Sequence, residues 1–304
     1  MAFTIPDRLV PPLLRAARFN HVFVSEENAR ARVEERAARP LAYGPPSSFR
    51  EDVTVLADRR AGWPIYRITP KERQPRGCVV YAHGGGWVNE IHAEHWRLIG
   101  SIAARAGVTV IVPIYPLIPF GTAEVVVGEM VDLVRECRAE FGTVVLAGDS
   151  AGGQISLSTV LELRDRYAET LPLTTLISPA LDLSWSNPEI PEVQPNDPWL
   201  GVPGGKYFSE LWRGDLPVTD QRVSPVIGDL RGLGRLLVYA GTYDILAPDA
   251  RLLIQRARDA RVEFDFYEAA GQVHVYPFIP TSTGRKARRT LIDRLGSVCR
   301  SEPG

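Results

Sequence analysis

The chain has 304 residues, 45% of them hydrophobic and 23% charged, with a formal net charge of -1. That balance supports a large apolar core and argues against a global field that would gather nucleic acid or an anionic membrane surface. The length is within reach of one α/β domain built on a single sheet, here residues 1–304. Cys78, Cys137 and Cys299 lie far apart without a CxxC pair, which argues against a disulfide framework and suits a reducing cytoplasm. The opening MAFTIPDRLVPPLL is broken by proline and acidic residues and does not read as a signal peptide. No apolar run approaches the roughly 18 residues of a membrane span. The expectation is a soluble cytoplasmic protein without membrane insertion, for which a homodimer is allowed but not required.

In chain order, Ser25 with Glu26 and Glu27 starts a capped amphipathic helix that Pro40 stops. DVTVLAD (52–58) and WPIYRIT (63–69), joined through Gly62, alternate as an antiparallel hairpin. From Gly77 onward the pattern becomes strand, loop, helix, repeated. The strands are CVVYAH, VTVIVPI, TVVLAGD, LTTLISP, RLLVYAG and VEFDFYE. Helical segments lie near 93–106, 122–140, 151–168, 249–260 and 285–298. Continuous apolar strands alternating with amphipathic helices predict a mostly parallel sheet covered on both faces. One insertion, about 183–222, breaks the rhythm: it is rich in proline and tryptophan, holds one helix near 206–213, and is too long for an ordinary connection. Its Trp185, Trp199, Tyr207, Phe208 and Trp212 suit a lid or binding-site wall better than a surface excursion.

Gly148-Asp149-Ser150-Ala151-Gly152 fits G-x-S-x-G, between a strand and a helix as a nucleophile elbow requires. A serine hydroxyl needs a base to take its proton, and the base needs an orienting acid. Of five histidines, only His274 follows Ser150, in the loop after VEFDFYE. Asp244, at the end of RLLVYAGTYD, supplies the acid; Asp249 follows Pro248 where a helix begins and reads as a helix-terminus carboxylate. The strand CVVYA runs into His83 and three glycines, whose bare amides can hold a developing oxyanion. Gly84 and Gly85, with Ala151 from the elbow, are the candidate donors. Trp87 of this loop, with Trp185, Tyr207 and Trp212, are the candidate substrate-binding residues. A phosphate cradle fits poorly, because neither G-x-G-x-x-G nor a G-K-[ST] ending is present. His92 and His95 lack H-E-x-x-H spacing and a third ligand, so helix packing or capping is preferred to a metal site.

With HGGGW (83–87), GDSAGG (148–153), YDILAPD (243–249) and VHVYP (273–277), the chain resembles the hormone-sensitive-lipase-like α/β-hydrolases. The similarity runs from about residue 50 to the end. It implies an α/β-hydrolase fold, an ester-cleaving Ser150–His274–Asp244 triad, an HGG oxyanion loop and no cofactor. It also implies a cap made from residues 1–45 and the insertion. PIYPLIPFGTA departs from the more usual Tyr-Arg-Leu-Ala-Pro-Glu segment, which bears on acyl preference rather than on the triad. The function expected is hydrolysis of small to medium apolar esters, lactones and acetylated metabolites included. The alternatives are an amidase acting on aryl formamides and a non-hydrolytic small-molecule binder on the same scaffold.

Overall fold

The computed structural model describes residues 4–300. Its eight strands form one sheet in the order β1-β2-β4-β3-β5-β6-β7-β8. β1 (Val53–Arg60) and β2 (Trp63–Pro70) are the hairpin, with Arg60 opposite Trp63. β2 pairs antiparallel with β4 (Thr109–Pro113). β4, β3 (Cys78–Ala82), β5 (Val144–Asp149), β6 (Leu173–Ile177), β7 (Arg235–Tyr243) and β8 (Phe264–Val273) are all parallel. Because β3 lies beside β5, Ala82 is opposite Gly148, and the two glycine-rich turns leave the sheet next to each other.

The helices are α1 (Val10–Ala16), α2 (Glu26–Ala38), α3 (Ala93–Ser101), α4 (Ala123–Phe141), α5 (Ala151–Tyr167), α6 (Ile190–Val193), α7 (Val202–Arg213), α8 (Ala247–Asp259) and α9 (Ser282–Arg300). Inner strands are apolar on both sides because both faces are covered. Val80, Leu146, Leu176 and Val238 join Met130, Leu157 and Leu253 of α4, α5 and α8 in one core. Val79, Val145 and Leu237 join Leu98 of α3 and Leu291 of α9 in the other.

Four elements differ from the sequence expectation. The insertion holds the short α6 as well as α7. The proline-broken N-terminus holds α1, because Pro11 and Pro12 sit in its first turn, where no intrahelical N–H partner is lost. The helix expected over 93–106 ends as α at Ser101 and continues as a π turn over Ile102–Gly107. β8 does not stop at Glu268; it passes an irregularity opposite Gly241–Tyr243 and reaches Val273, so His274 follows the strand directly.

The N-terminal segment and the insertion pack on each other. α2 lies against α7, the rings of Phe23 and Phe208 meet edge-on at 5.6 Å, and those of Phe19 and Trp199 at 5.2 Å. Among the described residues, no helix is long and apolar enough to cross a membrane.

Candidate active site

Ser150 sits between β5 and α5 at φ 52° and ψ -117°, a strained conformation for a residue with a side chain. Its N–H donates to Ile177 O at 2.8 Å, which pins the turn to β6. A Cβ on Gly152 would strike the carbonyls of Ala82 and His83, so the elbow can close against β3 only with glycine there.

The structure brings Ser150, His274 and Asp244 together. His274 Nε2 lies 3.0 Å from Ser150 Oγ, and His274 Nδ1 lies 2.9 Å from Asp244 Oδ2. Asp244 Oδ1 accepts the Leu246 N–H at 3.0 Å, fixing the carboxylate at the start of α8. Burial alone would lower the His274 pKa, but the charge and hydrogen bond of Asp244 outweigh it. The imidazole is thereby held above its ordinary 6.5, with Asp197 and Asp149 acting in the same direction. Asp249 lies apart, buried in the first turn of α8 and bonded to Asn187 Nδ2 at 2.7 Å.

The glycine loop is organised by a carboxylate that sequence reasoning did not single out. Buried Asp149, just before the nucleophile, accepts Tyr81 OH at 2.8 Å and the Gly84 N–H at 3.1 Å through Oδ1. Its Oδ2 lies 3.1 Å from His95 Nε2. His95 Nδ1 accepts the His92 N–H at 3.2 Å, so the proton is on Nε2 and is donated to Asp149. Burial would raise the Asp149 pKa; His95 and the Tyr81 hydroxyl hold it below 3.8. His92 is the N-cap of α3, accepting the Glu94 N–H at 3.3 Å, and its pKa is pushed down to about 4, chiefly by burial. The pair therefore caps a helix, the preference stated from sequence, and His95 also steadies the loop through Asp149. His83 stacks on Tyr115 at 4.5 Å, and burial pushes its pKa down to about 3.

This network corrects one expected donor. The Gly84 amide is occupied by Asp149, whereas the amides of Gly85, Gly86 and Ala151 have no acceptor among the described residues. Gly85 has φ 127°, and a Cβ there would lie 2.5 Å from Asn89 O, so the loop can take this path only with glycine.

A cavity of about 550 Å³ opens at Ser150 and His274. One wall is apolar, made by Leu14, Phe19 and Phe23 with Trp199, Leu200 and Phe278; Arg32, Arg36, Asn89 and Glu90 form a polar side. None of Trp87, Trp185, Tyr207 and Trp212 lines it. Trp87 and Trp212 are core residues whose indole N–H groups both donate to Gln154 Oε1, at 3.2 and 2.9 Å. Trp185 donates to Ser209 Oγ at 2.9 Å, and Tyr207 carries the Arg30 guanidinium 4.9 Å above its ring. Trp87 and Trp212 are thereby tied to α5 and Trp185 to α7, while Tyr207 meets α2. The insertion contributes Trp199 instead.

A serine–imidazole–carboxylate chain at the C-terminal edge of a mostly parallel sheet defines a class of hydrolases. A family model described as alpha/beta hydrolase fold matches residues 79–278. The chain is 35% identical over 225 residues to a triacylglycerol lipase of Mycobacterium tuberculosis, a match covering 73% of this chain and 46% of that protein. It thus spans about half the length of that relative. It is 29% identical over 265 residues to an acetyl-hydrolase of Streptomyces hygroscopicus, covering 83% of each. The HSL-homolog EstE7 from a metagenome library matches with a TM-score of 0.83 at 20% identity, over 98% of this chain and 100% of that one, a likeness of fold. The chain belongs to the α/β-hydrolase fold family.

Proposed function

We propose that this carboxylesterase-type hydrolase cleaves small to medium esters through a covalent acyl-enzyme on Ser150, with His274 as proton carrier and Asp244 as its orienting carboxylate. The observation that carries this reading is the unbroken chain from Asp244 Oδ2 through both ring nitrogens of His274 to Ser150 Oγ, at 2.9 and 3.0 Å. His274 Nε2 takes the hydroxyl proton as Oγ attacks the ester carbonyl, and Asp244 stabilises the imidazolium. The carbonyl oxygen becomes an oxyanion held by the amides of Gly85, Gly86 and Ala151, each such donor being worth about 10²–10³ in rate. The imidazolium then protonates the leaving alkoxide, and the acyl group stays on Oγ. Water then attacks the acyl carbon as His274 takes its proton, and the imidazolium returns that proton to Ser150 Oγ as the Oγ–acyl bond breaks and the carboxylic acid leaves.

The apolar wall suits an acyl or alkyl chain, and a cavity of about 550 Å³ suits an ester of modest size, lactones and acetylated metabolites included. α1, α2 and the insertion serve as the cap that shields the reaction from bulk water. The activities for which the relatives are named, lipase and acetyl-hydrolase, are ester hydrolyses and support the same chemistry here. A p-nitrophenyl ester series of increasing chain length tests the reading. The wild type should turn over short and medium esters, and Ser150→Ala should lose at least about four decades. Retained turnover in that variant would remove the acyl-enzyme. A wild type inert on all esters but active on an aryl formamide would make the protein an amidase.

A further inference from the structure

Asp197 belongs to the insertion, outside the chain of Ser150, His274 and Asp244, and is 5% exposed. Its Oδ1 accepts the N–H groups of Trp199 at 2.7 Å and Leu200 at 2.9 Å. Its Oδ2 accepts the N–H of Ile245 at 2.9 Å. Both sets of donors border the reaction. Trp199 and Leu200 wall the cavity, and the Trp199 ring meets the His274 ring edge-on at 5.7 Å. Ile245 follows Asp244 directly, and Asp244 itself holds the next amide, Leu246 N–H, at 3.0 Å. One buried carboxylate therefore joins the cavity wall to the turn that aims the orienting acid.

Accepting N–H groups through both oxygens takes an ionised carboxylate, since an asparagine Nδ2 would meet the Ile245 N–H as a second donor, and that charge is buried beside the imidazole. The charged groups around Asp197 are Asp244 at the end of β7 and His274 after β8, with Asp149 at the end of β5 also acting on the imidazole. Burial and the neighbouring Asp244 push the Asp197 pKa up to about 6, while its three amide donors favour the ionised form.

We propose that Asp197 is a positioning residue for hydrolysis: it locks the Trp199–Leu200 wall to the Asp244 turn and sets a second negative charge near the imidazolium that forms at His274. This rests on the reading of His274 as the base. Losing that charge makes the imidazolium less favourable, so the His274 pKa falls.

The test compares Asp197→Asn and Asp197→Glu with the wild type. One readout is the pH profile of kcat/KM on p-nitrophenyl butyrate. The other is an NMR titration of the His274 ring without substrate. For the Asn variant, the acid limb and the ring midpoint should both move down by about half a pH unit or more. Its KM should rise about threefold as the wall loosens. The Glu variant keeps the charge but disturbs the register, so its KM should rise while both midpoints stay in place. An Asn variant with unmoved midpoints and wild-type KM overturns the proposal, as does a Glu variant whose midpoint shifts as far as that of Asn. Should the Asn variant fail to fold, the Glu variant decides alone: a raised KM with a fixed midpoint supports the role, and a shifted midpoint or unchanged KM rejects it. A wild type that turns over no ester would refute the hydrolytic reading, and the ring titration would still read the charge coupling.

Discussion

Gln154 lies just beyond the elbow, fully buried in α5, and uses all its hydrogen-bonding capacity. Its Oε1 accepts from Trp87 and Trp212 at 3.2 and 2.9 Å, and its Nε2 donates to Ser158 Oγ at 2.9 Å and Arg222 O at 2.6 Å. Replacement by leucine strands two indole donors in the core. Gln154→Leu should cost about 2–4 kcal/mol, read as a lowered unfolding midpoint in denaturant. A midpoint equal to wild type would mean the indoles find other acceptors. Asp249 gives a pH-dependent counterpart. Burial pushes its pKa from 3.8 up to about 7, with Asp182 and Glu189 adding to the rise and Asn187 opposing it. Between those pH values the folded chain holds a proton that the unfolded chain has released, so this group's contribution to stability falls as pH rises. Relative to wild type, Asp249→Asn should therefore gain about 1–3 kcal/mol on going from about pH 5 to pH 8. An identical difference at both pH values would contradict the assignment.

Among the elements, the strands, the elbow and the major helices were legible because each carries a local signal: continuous apolar runs, a 3.6-residue period, or G-x-S-x-G. The insertion carried no such period outside α7, so nothing in its sequence said which way its aromatics point. Trp185 and Trp212 turned into the core, and Trp199 faced the cavity. Contacts that cross the chain were equally invisible. His95 meets Asp149 across 54 residues and Ile245 meets Asp197 across 48, and no spacing rule links either pair. α1 hid for another reason: prolines that break a helix interior are tolerated in a first turn. The N-terminal segment gives the cavity Phe23, whose ring packs against Phe208 at 5.6 Å. Phe23→Ala should enlarge the apolar wall and shift the preferred p-nitrophenyl ester toward longer chains, with KM for the longer esters falling. An unchanged chain-length profile would place the acyl group elsewhere in the cavity.

Across the molecule, one sheet order does most of the arranging. Because β3 and β5 are neighbours and β5, β6, β7 and β8 follow in sequence, the glycine loop, the elbow, Asp244 and His274 all leave at the same edge. Residues of α1, α2 and the insertion line the cavity at that edge. On the proposed mechanism, in which His274 is the base and works only when neutral, its raised pKa sets the pH response of the site. Activity should fall as pH drops through a midpoint above 6.5, the ordinary value for this group. An acid limb below that value would mean Asp244 does not govern the imidazole.

All of this turns on whether ester turnover passes through the hydroxyl at the elbow. Titration with a fluorophosphonate ester, followed by peptide mass mapping, reads that most directly. One adduct per chain on the peptide containing Ser150, with esterase activity lost in proportion and protection by substrate, is the predicted result. Ester turnover that continues once Ser150 is fully labelled, or an inactivating adduct on another residue, would contradict it.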